Sequence, residues 1–137
     1  MTKFEKLLDN KQLKKTIPRL KVLETLSSTE FASSQPFLEK TLGKTVDRVT
    51  LYRVLKSFEN NGIIHKIIDD NGTANYAICK SDCNSVKHNH NHVHFICAIC
   101  NKIYCLSNAP LIEYDFSDEF EIETIEVITR GKCKNCK

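Results

Sequence analysis

The sequence predicts an α+β protein, with a helical half that ends in a β-hairpin and a smaller cysteine-rich β half. Three observations carry this. Apolar residues recur at helical spacing as far as Phe58. Two β-rich runs then flank Asp70-Asn71-Gly72. Finally, two Cys-x-x-Cys pairs, Cys97/Cys100 and Cys133/Cys136, bracket a stretch of short apolar runs.

The helical half divides into four segments. Phe4, Leu7 and Leu8 trace one helical face. Pro18 suits a helix start, and Leu20, Val22, Leu23 and Leu26 continue a second helix. In SSQPFLEKTL (33–42) serines offer caps, Pro36 falls in the first turn, and Gly43 stops the helix. Asp47 caps a fourth helix whose expected apolar face is Val49, Tyr52, Leu55 and Phe58, with Leu51 flanking and Asn61-Gly62 ending it. The run IIHKIIDDNGTANYAIC (63–79) reads as a hairpin with a three-residue loop and a left-handed Gly72. This order describes a winged helix-turn-helix, although any small α+β domain can show it.

The polar KSDCNSVKHNHN (80–91) reads as a linker, which divides the chain into 1–80, 81–91 and 92–137. In the last part, HVHFIC (92–97) and KIYCL (102–106) are expected strands, 111–120 a short helix and 121–130 a longer strand. A unit of about 45 residues holds little core, which favours a metal staple, an oligomer interface, or both.

The chain has 137 residues, 41% of them hydrophobic, and its apolar runs are too short to cross a bilayer. The N-terminus lacks the apolar stretch of a secretory signal, so a cytoplasmic protein with no membrane partner is expected. Seven cysteines in a reducing compartment then argue for metal or redox chemistry over disulfides. The net charge of +3 divides into +5 over residues 1–80 and −2 over the remainder. A basic half is what a phosphate backbone attracts, but this excess alone is unexceptional. No nucleophile–base constellation suggests an enzyme.

The two Cys-x-x-Cys knuckles suit one tetrahedral zinc, with thiolates at about 2.3 Å. A thioredoxin-like redox pair is the rival reading, but it lacks a βαβ context. His88, His90, His92 and His94 need a separate explanation. Residues two apart share a strand face, so His92 and His94 can ligate one ion side by side. A metal-scavenging tract is the alternative. With a three-residue loop, position 65 lies opposite 77, so His65 and Cys79 share a face of the hairpin. His65, Cys79, His92 and His94 then form an N₃S set that prefers Zn²⁺ over Fe²⁺ or Mn²⁺. Cys105 and His90 are further candidates, while Cys83 falls in the linker.

Together these residues resemble the ferric uptake regulator family of metal-dependent repressors, from about Lys11 to Cys136. The motifs are Pro18-Arg19-Leu20, Thr50-Leu51-Tyr52-Arg53-Val54-Leu55, His92-x-His94-Phe95-x-Cys97-x-x-Cys100 and Cys133-x-x-Cys136. The resemblance implies an N-terminal winged-helix DNA-binding domain and a C-terminal α/β dimerisation domain. It implies a homodimer on a double-stranded, palindromic operator. Thr50, Tyr52 and Arg53 would face DNA from the reading helix, with Lys15 and Arg19 on the backbone, although Tyr52 also fits the core face. Within the family the chain looks most like the zinc uptake regulators, which carry ligands at the positions of His65 and Cys79. Iron and peroxide members tend to use a histidine where Glu30 or Phe31 stands here. Asn101 replaces a usual glycine, Cys105 a frequent acid, and Val93 and Ile125 the ligands of a further site. The expected function is a zinc-responsive repressor of metal-uptake genes, with one structural and one regulatory zinc per chain. An iron-dependent or peroxide-responsive repressor is the nearest alternative, with Fe or Mn at the regulatory site. A zinc-storing or thiol-redox protein is the alternative of another class.

Overall fold

A computed structural model describes residues 2–78, 93–106, 114–123 and 125–137. Four helices come first: α1 (Lys3–Asn10), α2 (Ile17–Ser27), α3 (Gln35–Leu42) and α4 (Arg48–Asn60), with a short strand β1 (Ser33–Ser34) before α3. The hairpin β2 (Ile64–Ile68) and β3 (Ala74–Ile78) follows, then β4 (Val93–Cys97), β5 (Ile103–Leu106) and β6 (Val127–Gly131).

Each helix starts on an oxygen-bearing cap. Thr2, Thr16, Ser34 and Asp47 accept the backbone N–H of Glu5, Arg19, Phe37 and Thr50. These bonds satisfy donors that a helix N-terminus otherwise leaves open. Ser34→Ala is therefore expected to lower unfolding free energy by about 1 kcal/mol, read from urea denaturation. The helices enclose a core that includes Leu8, Leu23, Leu38, Leu51, Phe58 and Ile64.

The buried face of α4 differs from the expected one. Leu51, Val54, Leu55 and Phe58 are buried, whereas Val49 is 60% and Tyr52 48% exposed. A helix turns about 100° per residue, so Val49 and Phe58, nine residues apart, lie about 180° apart. Steps of three drift off one face, while steps of four and three from Leu51 stay on it. Tyr52 is thus released from the core.

The hairpin has the register that a three-residue loop requires. His65 pairs with Ala77 in an antiparallel ladder, and the sheet order is β1-β3-β2. Gly72 takes φ +79°, and the Asp69 carboxylate accepts the N–H groups of Asn71 and Thr73. Along β2, Ile64 joins the helical core while Ile67 packs on the second sheet.

That second sheet has the order β5-β4-β6, with β5 antiparallel and β6 parallel to β4. Two expectations change here. Residues 107–113 lie outside the described part, and 114–120 contain no helix. Tyr114 stacks on Phe116, and a turn closes where the Phe120 N–H donates to the Ser117 carbonyl. The expected strand over 121–130 shortens to Val127–Gly131. Val127 pairs with Val93, where β4 begins, so the residues before it have no strand to join among those described. The linker 80–91 falls outside the described residues.

The two sheets meet through Ile67, Ile96 and Ile103, with Ala32 and Ile128 packed alongside. The Ala32 N–H donates to the Ile103 carbonyl at 2.7 Å. Phe31 meets Tyr104 edge-on, and Lys134 pairs with Glu30 at 2.6 Å. At the hairpin tip, Arg130 donates from Nη2 and Nε to Asp70 at 2.7 and 3.3 Å.

Candidate metal centres and nucleic-acid interface

The parallel pairing of β4 and β6 brings the knuckles together. Cys97 lies opposite Gly131, so the turns holding Cys97/Cys100 and Cys133/Cys136 leave the same end of the sheet. In the first turn the Asn101 N–H donates to the Cys97 carbonyl, and Asn101 takes φ +63°. Asparagine tolerates this left-handed region better than most side chains, so it can stand where the family usually has glycine. In the second turn the N–H groups of Cys136 and Lys137 both reach the Cys133 carbonyl.

The four sulfur atoms lie within 4.8 Å of one another, the one such group of three or more ligand atoms among the described residues. Cys100 and Cys133 are 3.8 Å apart at sulfur. A tetrahedron with bonds of about 2.3 Å has edges of about 3.8 Å, so the donor set fits zinc. The Cys97 sulfur also accepts the N–H groups of Cys100 and Cys133, at 3.5 and 3.4 Å. The Cys100 N–H is the larger influence, and together they pull the Cys97 thiol down to about 6. Cys136 goes the other way, to about 12, because the Cys133 sulfur beside it favours its protonated form. One thiol is thus favoured as a thiolate, while another holds its proton more tightly.

Of the expected regulatory set, the structure describes His65 and His94. His65 is 2% and His94 7% exposed, and their rings meet edge-on with centroids 5.8 Å apart. One comes from the hairpin and the other from the second sheet, beside the Ile67 cluster. Cys79, His90 and His92 lie outside the described residues. Cys105 is half-buried and pairs with His94 across β4 and β5. Sequence reading passed over Glu126, which lines a hollow with both histidines. Its spacing from Ile128 is visible in the sequence, but the strand it sits beside is not.

On the candidate DNA side, Tyr52 and Arg53 project from α4 into solvent, and Thr50 is half-buried in its first turn. Arg19 donates to the Lys14 carbonyl at 2.9 Å, at the start of α2. Lys15 is exposed and pairs with Asp9 at 3.4 Å. Arg48 reaches Glu39 at 3.3 Å and ties α4 to α3.

Among known proteins, residues 10–130 match the Ferric uptake regulator family, a span that stops just before the second knuckle. The ferric uptake regulation protein of Yersinia pestis is 31% identical over 115 residues, covering 81% of this chain and 72% of that protein. The crystal structure of the Vibrio cholerae ferric uptake regulator aligns with TM-score 0.61 and 25% identity, over 93% of this chain and 98% of that one. A zinc uptake regulator complexed with zinc and DNA shares the fold, with TM-score 0.66 and 20% identity over 96% and 88% of the two chains. The chain therefore belongs to the ferric uptake regulator family, whose members are metal-responsive, dimeric DNA-binding transcription regulators and not enzymes.

Proposed function

We propose that this chain is a zinc-responsive repressor that uses Zn²⁺ as corepressor at an operator controlling metal uptake. The observation that carries the reading is the buried His65–His94 pair, which joins the hairpin to the second sheet. With Cys79 and His92 it makes a ligand set that draws from both sides. Cys105 and His90 are spare donors. Binding fixes the hairpin, and with it α4, relative to the dimerising half. A dimer with fixed reading helices fits half-sites at one spacing in the major groove. By linkage, zinc and operator then strengthen each other's binding. The Cys97, Cys100, Cys133 and Cys136 cluster holds a separate structural zinc.

Two further observations support this. Glu30 and Phe31, at the position where iron and peroxide members tend to carry a histidine, are engaged by Lys134 and Tyr104. Tyr114, Phe116, Phe120 and Ile122 are each at least 45% exposed in the single chain, an apolar surface suited to a second copy.

The test is operator binding against free Zn²⁺, Fe²⁺ and Mn²⁺ for wild type and Cys79→Ser. Zinc activation lost in Cys79→Ser is expected. Metal-independent binding would sink the sensor, and Fe²⁺ activation unchanged by Cys79→Ser would sink the zinc assignment. Arg53→Ala should weaken operator binding by about 1–3 kcal/mol, with zinc content unchanged, read by fluorescence anisotropy.

A further inference from the structure

Between His65 and His94 lies a hollow of about 10 Å³, the size of a single ion or water. Glu126 is part of its wall, together with Lys66, Ile67 and Ile128. Register explains the carboxylate's presence. His94 of β4 lies opposite Ile128 of β6, and Ile128 packs into the Ile67 cluster. Glu126 precedes Ile128 by two residues, so in extended chain it shares that face. Glu126 itself is exposed, so it borders the hollow from the solvent side, at the end away from Ile96.

We infer that Glu126 gives a carboxylate oxygen to the ion held by His65 and His94. The inference rests on the regulatory-site reading above. Charge supports it. Neutral imidazoles and the Cys79 thiolate leave a divalent ion with one uncompensated positive charge between two packed sheets. Such a charge is costly away from water, and one carboxylate cancels it. Zinc accepts a carboxylate oxygen at about 2.0–2.2 Å. β6 ends at Gly131, two residues before Cys133, so one strand would serve both metal centres. Lys66 lines the same hollow and is the rival partner for Glu126, as an ordinary ion pair.

The experiment uses the full chain, with chelator competition for zinc and the visible spectrum of Co²⁺ in the second site. Wild type should hold two metals per chain. In Glu126→Gln the tighter zinc should stay, the weaker one should bind roughly 10- to 100-fold less tightly, and the Co²⁺ bands should shift. His65→Ala should lose the second metal altogether. Wild-type affinity in Glu126→Gln, with the metal lost from His65→Ala, would overturn the role of Glu126 alone. Weaker binding with unchanged Co²⁺ bands would also overturn it, because losing a ligand must alter the bands. A second metal retained by His65→Ala would overturn the regulatory site itself, and this inference with it.

Discussion

Cys97→Ser is expected to release one zinc per chain and melt β4–β6 while α1–α4 stay folded. Among the described residues, the second sheet has the small cluster around Ile67, Ile96 and Ile103 to hold it, three buried side chains against the fourteen of the helical core. A metal ligated by four thiolates supplies what that cluster lacks, since structural zinc binding is folding free energy. Cys97 is fully buried and its sulfur accepts two N–H groups. Zinc analysis should fall by one equivalent. Hydrogen exchange should accelerate in 93–106 and 127–131 and not in α2 or α4. Uniform acceleration through both halves would refute the division of labour. Acid should mimic the substitution. The folded-state pKa of Cys97 is depressed from 9.0 to about 6. Its contribution is therefore complete above pH 9.0 and is lost as the pH falls through about 6. Zinc-loaded protein should therefore lose metal as the pH falls through that window, and the second sheet should melt with it.

Phe58→Ala is expected to cost about 3–5 kcal/mol and to strike the other half. Phe58 is completely buried in the centre of the helical core. Truncation loses its transfer free energy and leaves a cavity, because the caps of α2 and α4 hold the surrounding helices at fixed starts. That cost is a large share of the roughly 5–15 kcal/mol typical of a whole domain. Denaturant unfolding of the zinc-loaded protein should show it, while zinc content stays at the wild-type value. Loss of zinc in this variant would mean that the two halves fold as one unit.

Much of this architecture is legible in the sequence because it is local. Caps such as Thr16 and Ser34 act within three residues, and the hairpin register follows from the loop around Gly72. The cysteine pairs are legible because metal geometry demands close spacing within each knuckle. Other features depend on distant pairing. Neither the parallel match of β6 to β4 nor the ion pair between Asp70 and Arg130, 60 residues apart, leaves a local pattern. The alternation over 121–130 overextends the strand for the same reason: among the described residues, β6 begins where its partner β4 does. Tyr52 shows the converse. Its spacing from Leu55 and Phe58 fits a core position, and only the rotation of α4 against its neighbours puts it in solvent. For the candidate regulatory site, hairpin register groups His65 with Cys79 and strand alternation groups His92 with His94, but only the meeting of the two sheets puts His65 beside His94. Glu126 could not be placed there at all, because the strand beside it, β4, lies some thirty residues earlier in the chain.

The boundary between the two sheets is uneven across its width. One side is apolar, with Ile67, Ile96 and Ile103, and needs no second ion to stay joined while the four-cysteine centre is loaded. The other carries His65, His94 and Glu126, which on the proposed reading an ion would draw together. A seam of that kind behaves like a book with a sewn spine and a clasp. Losing the ion lets the pages swing without parting, so a cell's zinc supply would be read as an angle and not as assembly or dissociation of the chain's two halves.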